Sequence, residues 1–170
     1  MTAARINGLL VAEIVDVDDP EKLGRVKLRF PTRPGDAQSF WAPIARPLAS
    51  GGFGVWFPPV VADVVLVGFE DGRIERPYVL GSIFTGDNQP PTTEAQQRML
   101  QTESGHKVTF DDTSGSETVT IEDAKGNTIT MADAGITIES KSDLTLKAQN
   151  ITIEAQSQLT GKGAPIHLNP

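Results

Sequence analysis

Val119-Thr120-Ile121, Ile129-Thr130-Met131, Ile136-Thr137-Ile138, Leu144-Thr145-Leu146 and Ile151-Thr152-Ile153 share one local pattern, a threonine flanked by two apolar side chains. Val108-Thr109-Phe110 precedes them in the same form, and Leu159-Thr160-Gly161 follows as a degenerate copy. From Thr120 the centres fall at 120, 130, 137, 145, 152 and 160, so the spacing settles between seven and eight residues. In an extended chain, neighbouring side chains point to opposite faces, so each triplet puts two apolar groups on one side and a β-branched hydroxyl on the other. The breaks between triplets, such as Asp123-Ala124-Lys125-Gly126-Asn127 and Ser140-Lys141-Ser142-Asp143, are too short for helices and too polar for strand interiors. The pattern predicts a stack of short strands, each bent into the next. One strand and its break are less than half of the roughly 20-residue coil that a single-chain solenoid uses. Three copies wound about a common axis would close the core and pair the open strand edges. That arrangement is preferred to a single-chain solenoid, with a flat hairpin ribbon last. Its core would be Val119, Ile121, Ile129, Met131, Ile136, Ile138, Leu144, Leu146, Ile151 and Ile153.

The residues around the repeat differ from it in composition. Nine of the ten aromatic residues precede residue 90, and only Phe110 follows. The first ninety residues carry 9 Lys/Arg and 11 Asp/Glu, the last eighty 6 and 11. Thr85–Gln97 (TGDNQPPTTEAQQ) reads as a linker between the halves. The expected division is a domain over 1–86, a linker over 87–103 and the repeat module over 104–170. The chain's −7 net charge weighs against a nucleic-acid footprint. The absence of cysteine removes disulfides and thiolate chemistry. No apolar run approaches the roughly 20 residues of a membrane span and no signal-peptide core is visible, so synthesis in the cytoplasm is expected.

The aromatic half reads as β-structure. Gly8–Asp16 is apolar, and Arg25–Phe30 alternates, with Val26, Leu28 and Phe30 on one face and Arg25, Lys27 and Arg29 on the other. Phe40–Ala45 and Gly54–Phe57 are short candidates, Val61–Glu70 is a strong one, Asp71-Gly72 suits a hairpin turn, and Arg76–Ile83 closes the set. Five or so short strands without a helix predict a small closed barrel of the five-stranded OB type. The fold class expected is therefore all-β, an OB barrel followed by an intertwined, homotrimeric β-helix.

GLLVAEIVDVDDPEKLGRVKLRFP (Gly8–Pro31) resembles the opening of the OB domain in spike proteins of contractile injection systems. These include phage baseplate assembly protein V, the VgrG proteins of type VI secretion and the spikes of phage-tail-like particles. Pro59, Val61, Ala62, Asp63 and Val65 align with a family stretch that commonly has glycine where Ala62 stands, and Val67–Ser82 aligns with another. Ser104–Met131 is similar to the segment where the family passes from OB domain into triple-stranded β-helix. The resemblance implies a structural homotrimer, not an enzyme. It would sit in the baseplate of a virion or extracellular particle, its needle piercing the target envelope on sheath contraction. It also implies a hub protein at the OB end and a PAAR-type tip protein at the C-terminal end, with Ile166, His167 and Leu168 as tip-docking residues and a final capping strand. Some phage spikes bind a metal through His-X-His on the three-fold axis; here Asn169 replaces the second histidine, so no metal at His167 and no cofactor are expected.

Other chemistries find little support. Asp18-Asp19 and Asp111-Asp112 adjoin turn residues and read as turn formers. Gly51-Gly52-Phe53-Gly54 lacks the Lys-Ser/Thr of a phosphate loop. His106 reads as a turn or strand-entry residue. The alternative from another class is an OB module that binds nucleic acid or glycan and carries a β-solenoid tail. Its only basic cluster would be Arg25, Lys27, Arg29 and Arg33, while Phe40-Trp41 and Trp56-Phe57 look like core or interface residues.

Overall fold

A computed structural model describes residues 5–32 and 38–166. The chain divides into two compact units, Met1–Pro91 and Thr92–Pro170.

The first unit is built on β1 (Leu10–Asp16), β2 (Lys27–Arg29), β5 (Val64–Phe69) and β6 (Pro77–Ser82), with a small hairpin of β3 (Ala49–Ser50) and β4 (Phe53–Gly54) between. The main sheet is antiparallel in the order β2-β1-β5-β6. Alternation fixes its inner face: Ala12 and Ile14 from β1, Leu28 from β2, Val65 and Val67 from β5 and Val79 from β6 are buried, together with Val26, Phe30 and Ala42. The face expected from Arg25–Phe30 is the one observed.

The closed five-stranded barrel is not. The sheet is open, and the stretch read as the Phe40–Ala45 strand supplies only isolated bridges, Val26 with Ala42 and Ile44 with Val79, with Arg29 and Gln38 bridged just before it. This segment therefore touches both sheet edges without becoming a strand. The bridge to Val79 is two-sided, Val79 N donating to Pro43 O (2.9 Å) and Ala45 N to Val79 O (2.8 Å), but Pro43 has no N–H with which to carry that ladder further. The expected Gly54–Phe57 strand shrinks to Phe53–Gly54, and the turn at Asp71-Gly72 is a 3₁₀ turn over Glu70–Gly72 with Asp71 at φ 52°.

The second unit is an antiparallel meander of β7 (Gln97–Gln101), β8 (Lys107–Asp111), β9 (Thr118–Glu122), β10 (Thr128–Ala132) and β11 (Gly135–Glu139), each paired with its sequence neighbour. Within the chain, then, the first four triplets pair as hairpins, the arrangement ranked last from sequence. β7 lies inside the stretch read as linker. Its Met99 and Leu100 sit opposite Thr109 and Val108, but flanking glutamines mask the pattern. Beyond Glu139 the described residues form no strand, so the Leu144–Leu146 and Ile151–Ile153 triplets have no strand partner among the described residues of their own chain.

Candidate functional site

The register of the meander sorts the triplets. Thr109 faces Thr120, Thr120 faces Thr130, and Thr130 faces Thr137. With cross-strand partners sharing a face, the other face carries two rows. One is Leu100, Val108, Ile121, Ile129 and Ile138; the other is Arg98, Phe110, Val119, Met131 and Ile136. Among the core residues expected from sequence, Val119, Ile121, Ile129, Met131, Ile136 and Ile138 are thus brought onto one surface. Leu100, Val108 and Phe110 join them; two of these were visible as a triplet, and Leu100 was hidden in the supposed linker. Leu144, Leu146, Ile151 and Ile153 lie beyond the sheet and are exposed. Ile166 is exposed and outside any strand, while His167 and Leu168 lie outside the described residues.

The polar face is finished and the apolar one is not. On the threonine side, Lys107 Nζ meets Glu122 Oε2 at 3.0 Å and Gln97 Nε2 donates to Asp111 Oδ2 at 2.9 Å, both cross-strand pairs. On the apolar side, Ile136 is 71% exposed and Ile138 56%, and Phe110, Ile121, Ile129 and Met131 are also exposed. A contiguous apolar sheet face open to water marks a contact surface.

The turns hold this sheet in register. Asp123 Oδ1 accepts from Lys125 N (2.8 Å) and Asn127 N (2.9 Å), and its Oδ2 accepts from Asn127 Nδ2 (2.7 Å). The Asn127 bonds first, and the backbone N–H of Lys125 after them, hold the Asp123 carboxyl below its ordinary range. Gly126 completes the turn at φ 82°. Asn127 Oδ1 in turn accepts from Lys141 N (2.8 Å), fixing where the chain leaves β11. His106 stands at the entry to β8, one of the two places expected: its backbone N–H donates to Thr102 Oγ1 and its Nδ1 accepts from Ala124 N, tying the β7–β8 loop to the β9–β10 loop.

In the first unit, the residues weighed for other chemistry are structural. Asp19 is buried and takes Glu21 N, Leu23 N, Arg25 N and the Arg25 guanidinium, organising the β1–β2 loop. The Arg25 side chain above all, helped by those backbone N–H groups, holds the Asp19 carboxyl well below the usual carboxylate range. The basic cluster is neutralised: Arg25 pairs with Asp19 and Glu21, Lys27 with Asp16 and Arg29 with Glu13. Arg33 lies outside the described residues. Phe40, Trp56 and Phe57 are exposed, so they are not core. Asp111 and Asp112 bond Gln97 and Arg98 across the β7–β8 pair. Among the described residues no helix is long and apolar enough to cross a membrane.

Residues 10–84 match the type VI secretion system/phage-baseplate injector OB domain, and residues 97–170 match the phage baseplate V C-terminal trimerisation domain. The chain belongs to the phage baseplate V family. Membership assigns it a baseplate spike role, in a phage or a type VI secretion system, and makes it a particle-associated protein. Both matched domains are structural baseplate modules. No curated protein sequence matches the chain well enough to add a relative. The OB-domain match spans the four-stranded sheet and its bridging segment, and the trimerisation-domain match spans the unfinished apolar face. The Ala62 departure noted above also has a structural signature: Ala62 sits at φ 75°, a conformation that favours glycine. Its N–H donates to Ile14 O (2.8 Å), so the turn is tied to β1.

Proposed function

We propose that three copies close their apolar sheet faces about a common axis to form the spike of a contractile phage tail or phage-tail-like injection system. The triplets beyond Glu139 pair between copies into an intertwined β-helix, the needle driven through the target envelope on sheath contraction. The needle core then comprises Val119, Ile121, Ile129, Met131, Ile136 and Ile138 from the sheet and Leu144, Leu146, Ile151 and Ile153 from beyond it. The protein is made in the bacterial cytoplasm and assembles onto a hub at its OB end. It carries a PAAR-type tip protein on the end that includes Ile166, His167 and Leu168.

One observation carries this reading. Triplets of one form are strands before Glu139 and, among the described residues, unpartnered after it, although their alternation of apolar residue and threonine is the same. Strand-forming sequence without a partner in its own chain calls for partners from other chains, and interwound strands suit a part that must not unravel under load. Light scattering on the purified protein tests it: the expected mass is about 55 kDa, three times the 18.2 kDa chain. A mass near 18.2 kDa refutes the trimer. Hydrogen exchange tests the needle separately, since a trimer whose amides over 144–153 exchange freely refutes intertwining beyond Glu139.

A further inference from the structure

The first unit has an apolar groove whose lining includes Leu23, Leu48, Phe53 and Trp56, with Arg46 at its wall. Trp56 is 60% exposed yet held rigidly. The Arg46 guanidinium lies 4.4 Å over its ring, and on the ring's other contact a Cβ added to Gly24 would fall 2.5 Å from Trp56 Cη2. Gly24 is at φ 71°, so both its conformation and this approach require glycine. Arg46 Nη1 donates to Phe57 O (3.1 Å), but Nη2 is sealed from water and bonded to nothing. Among the described residues Arg46 has no carboxylate partner, whereas Arg25 and Arg29 both do. An exposed tryptophan stacked on an arginine that has no carboxylate partner is the composition of a binding hot spot that an acid from another chain completes.

The same unit carries the complement. Ile83 and Phe84 are exposed, Phe84 at 66%, and Asp87 follows with a carboxylate that has no ion-pair or hydrogen-bond partner among the described residues. This segment is a formed turn: Thr85 N donates to Asn88 O (2.9 Å), Asn88 N to Thr85 Oγ1 (3.1 Å), and Asn88 Nδ2 reaches Ala62 O (3.4 Å). One unit thus bears an apolar groove with an unpaired arginine and an apolar turn with an unpaired acid. Two different, mutually complementary patches are what a head-to-tail contact needs, and such contacts close cyclic rings.

We propose that in the trimer the Ile83–Asp87 turn of one copy docks in the Arg46–Trp56 groove of the next, Asp87 pairing with Arg46 and Phe84 covering Trp56. This rests on the trimeric reading above. The test replaces Phe84 with the photo-cross-linker p-benzoylphenylalanine in the full chain and maps adducts by mass spectrometry. Adducts between chains within residues 44–57 are expected. Their yield should fall about fivefold with Arg46→Glu and return when Asp87→Arg is added, as a charge swap at a close pair predicts. Adducts that are absent, within one chain, mapped elsewhere or captured by another baseplate protein in assembled particles overturn the contact, as does failure of the swap to restore yield. Light scattering on the same samples separates the two ideas: a trimeric mass without the adduct sinks only this contact, and a monomeric mass sinks the trimer itself.

Discussion

Replacing Ile138 with aspartate probes the apolar face at its most consequential row. In the single chain Ile138 is 56% exposed and sits opposite Ile129. Closing the face against two other copies removes that remaining surface from water, worth ~1 kcal/mol per copy. An unpartnered carboxylate in its place costs a further ~3–5 kcal/mol per copy. Over three symmetric copies the loss is on the order of 12–18 kcal/mol, which at about 1.4 kcal/mol per factor of ten weakens assembly by roughly eight orders of magnitude or more. Ile138→Asp should therefore run as an 18.2 kDa monomer by light scattering and give no trimer band on chemical cross-linking. Thr137→Val, one residue away on the opposite face, should assemble normally and shift stability by no more than about 0.5 kcal/mol. A trimer band from Ile138→Asp as strong as that of the parent chain would refute the inward direction of this row.

Three further outcomes follow from the local geometry. Ala62→Gly should raise the thermal midpoint: relief of the left-handed backbone at φ 75° recovers ~1–2 kcal/mol and the added chain entropy gives back ~0.4–1 kcal/mol, so a lower midpoint in calorimetry would show that the turn does not strain alanine. Asp19 binds its proton less tightly when folded, so its contribution is present above the unfolded value near 3.8 and drains away as pH falls below it. Urea midpoints of Asp19→Asn should consequently lie below the parent's at pH 5 to 7 and converge on it in more acid solution, and a gap that persists unchanged at pH 3 would contradict this. Asn127→Ala removes the bonds to Asp123 and to Lys141 N and should cost ~1–3 kcal/mol, read as faster hydrogen exchange at Lys141; unchanged exchange would mean the turn needs no such tie.

Much of this architecture was legible because its signals are periodic. The alternation of Arg25–Phe30 and the threonine-centred triplets each assign faces without reference to distant residues; the first assignment matches the burial found, and the second matches the register, threonine opposite threonine. What escaped sequence depended on single residues or on partners far along the chain. Pro43 turns an expected strand into bridges by lacking one N–H. β7 was hidden because two glutamines flank its apolar residues and its pattern makes sense only opposite β8. The groove could not be foreseen, since Gly24, Arg46 and Trp56 meet only through the fold. Asp19 looked like a turn former, and it is one, but its burial and its grip on Arg25 come from the loop closing around it.

The hairpin loops of the second unit range from two residues at Asp133-Ala134 to six between Asp111 and Thr118, yet like still meets like across every rung from Thr109 to Thr137. Insertions and deletions at the loops leave each side chain on its original side, whereas one residue gained or lost inside a rung would turn the rest of that strand inside out. Length and surface can therefore drift at the corners while the interior stays constant, so a spike of this design can be resized between lineages without being redesigned.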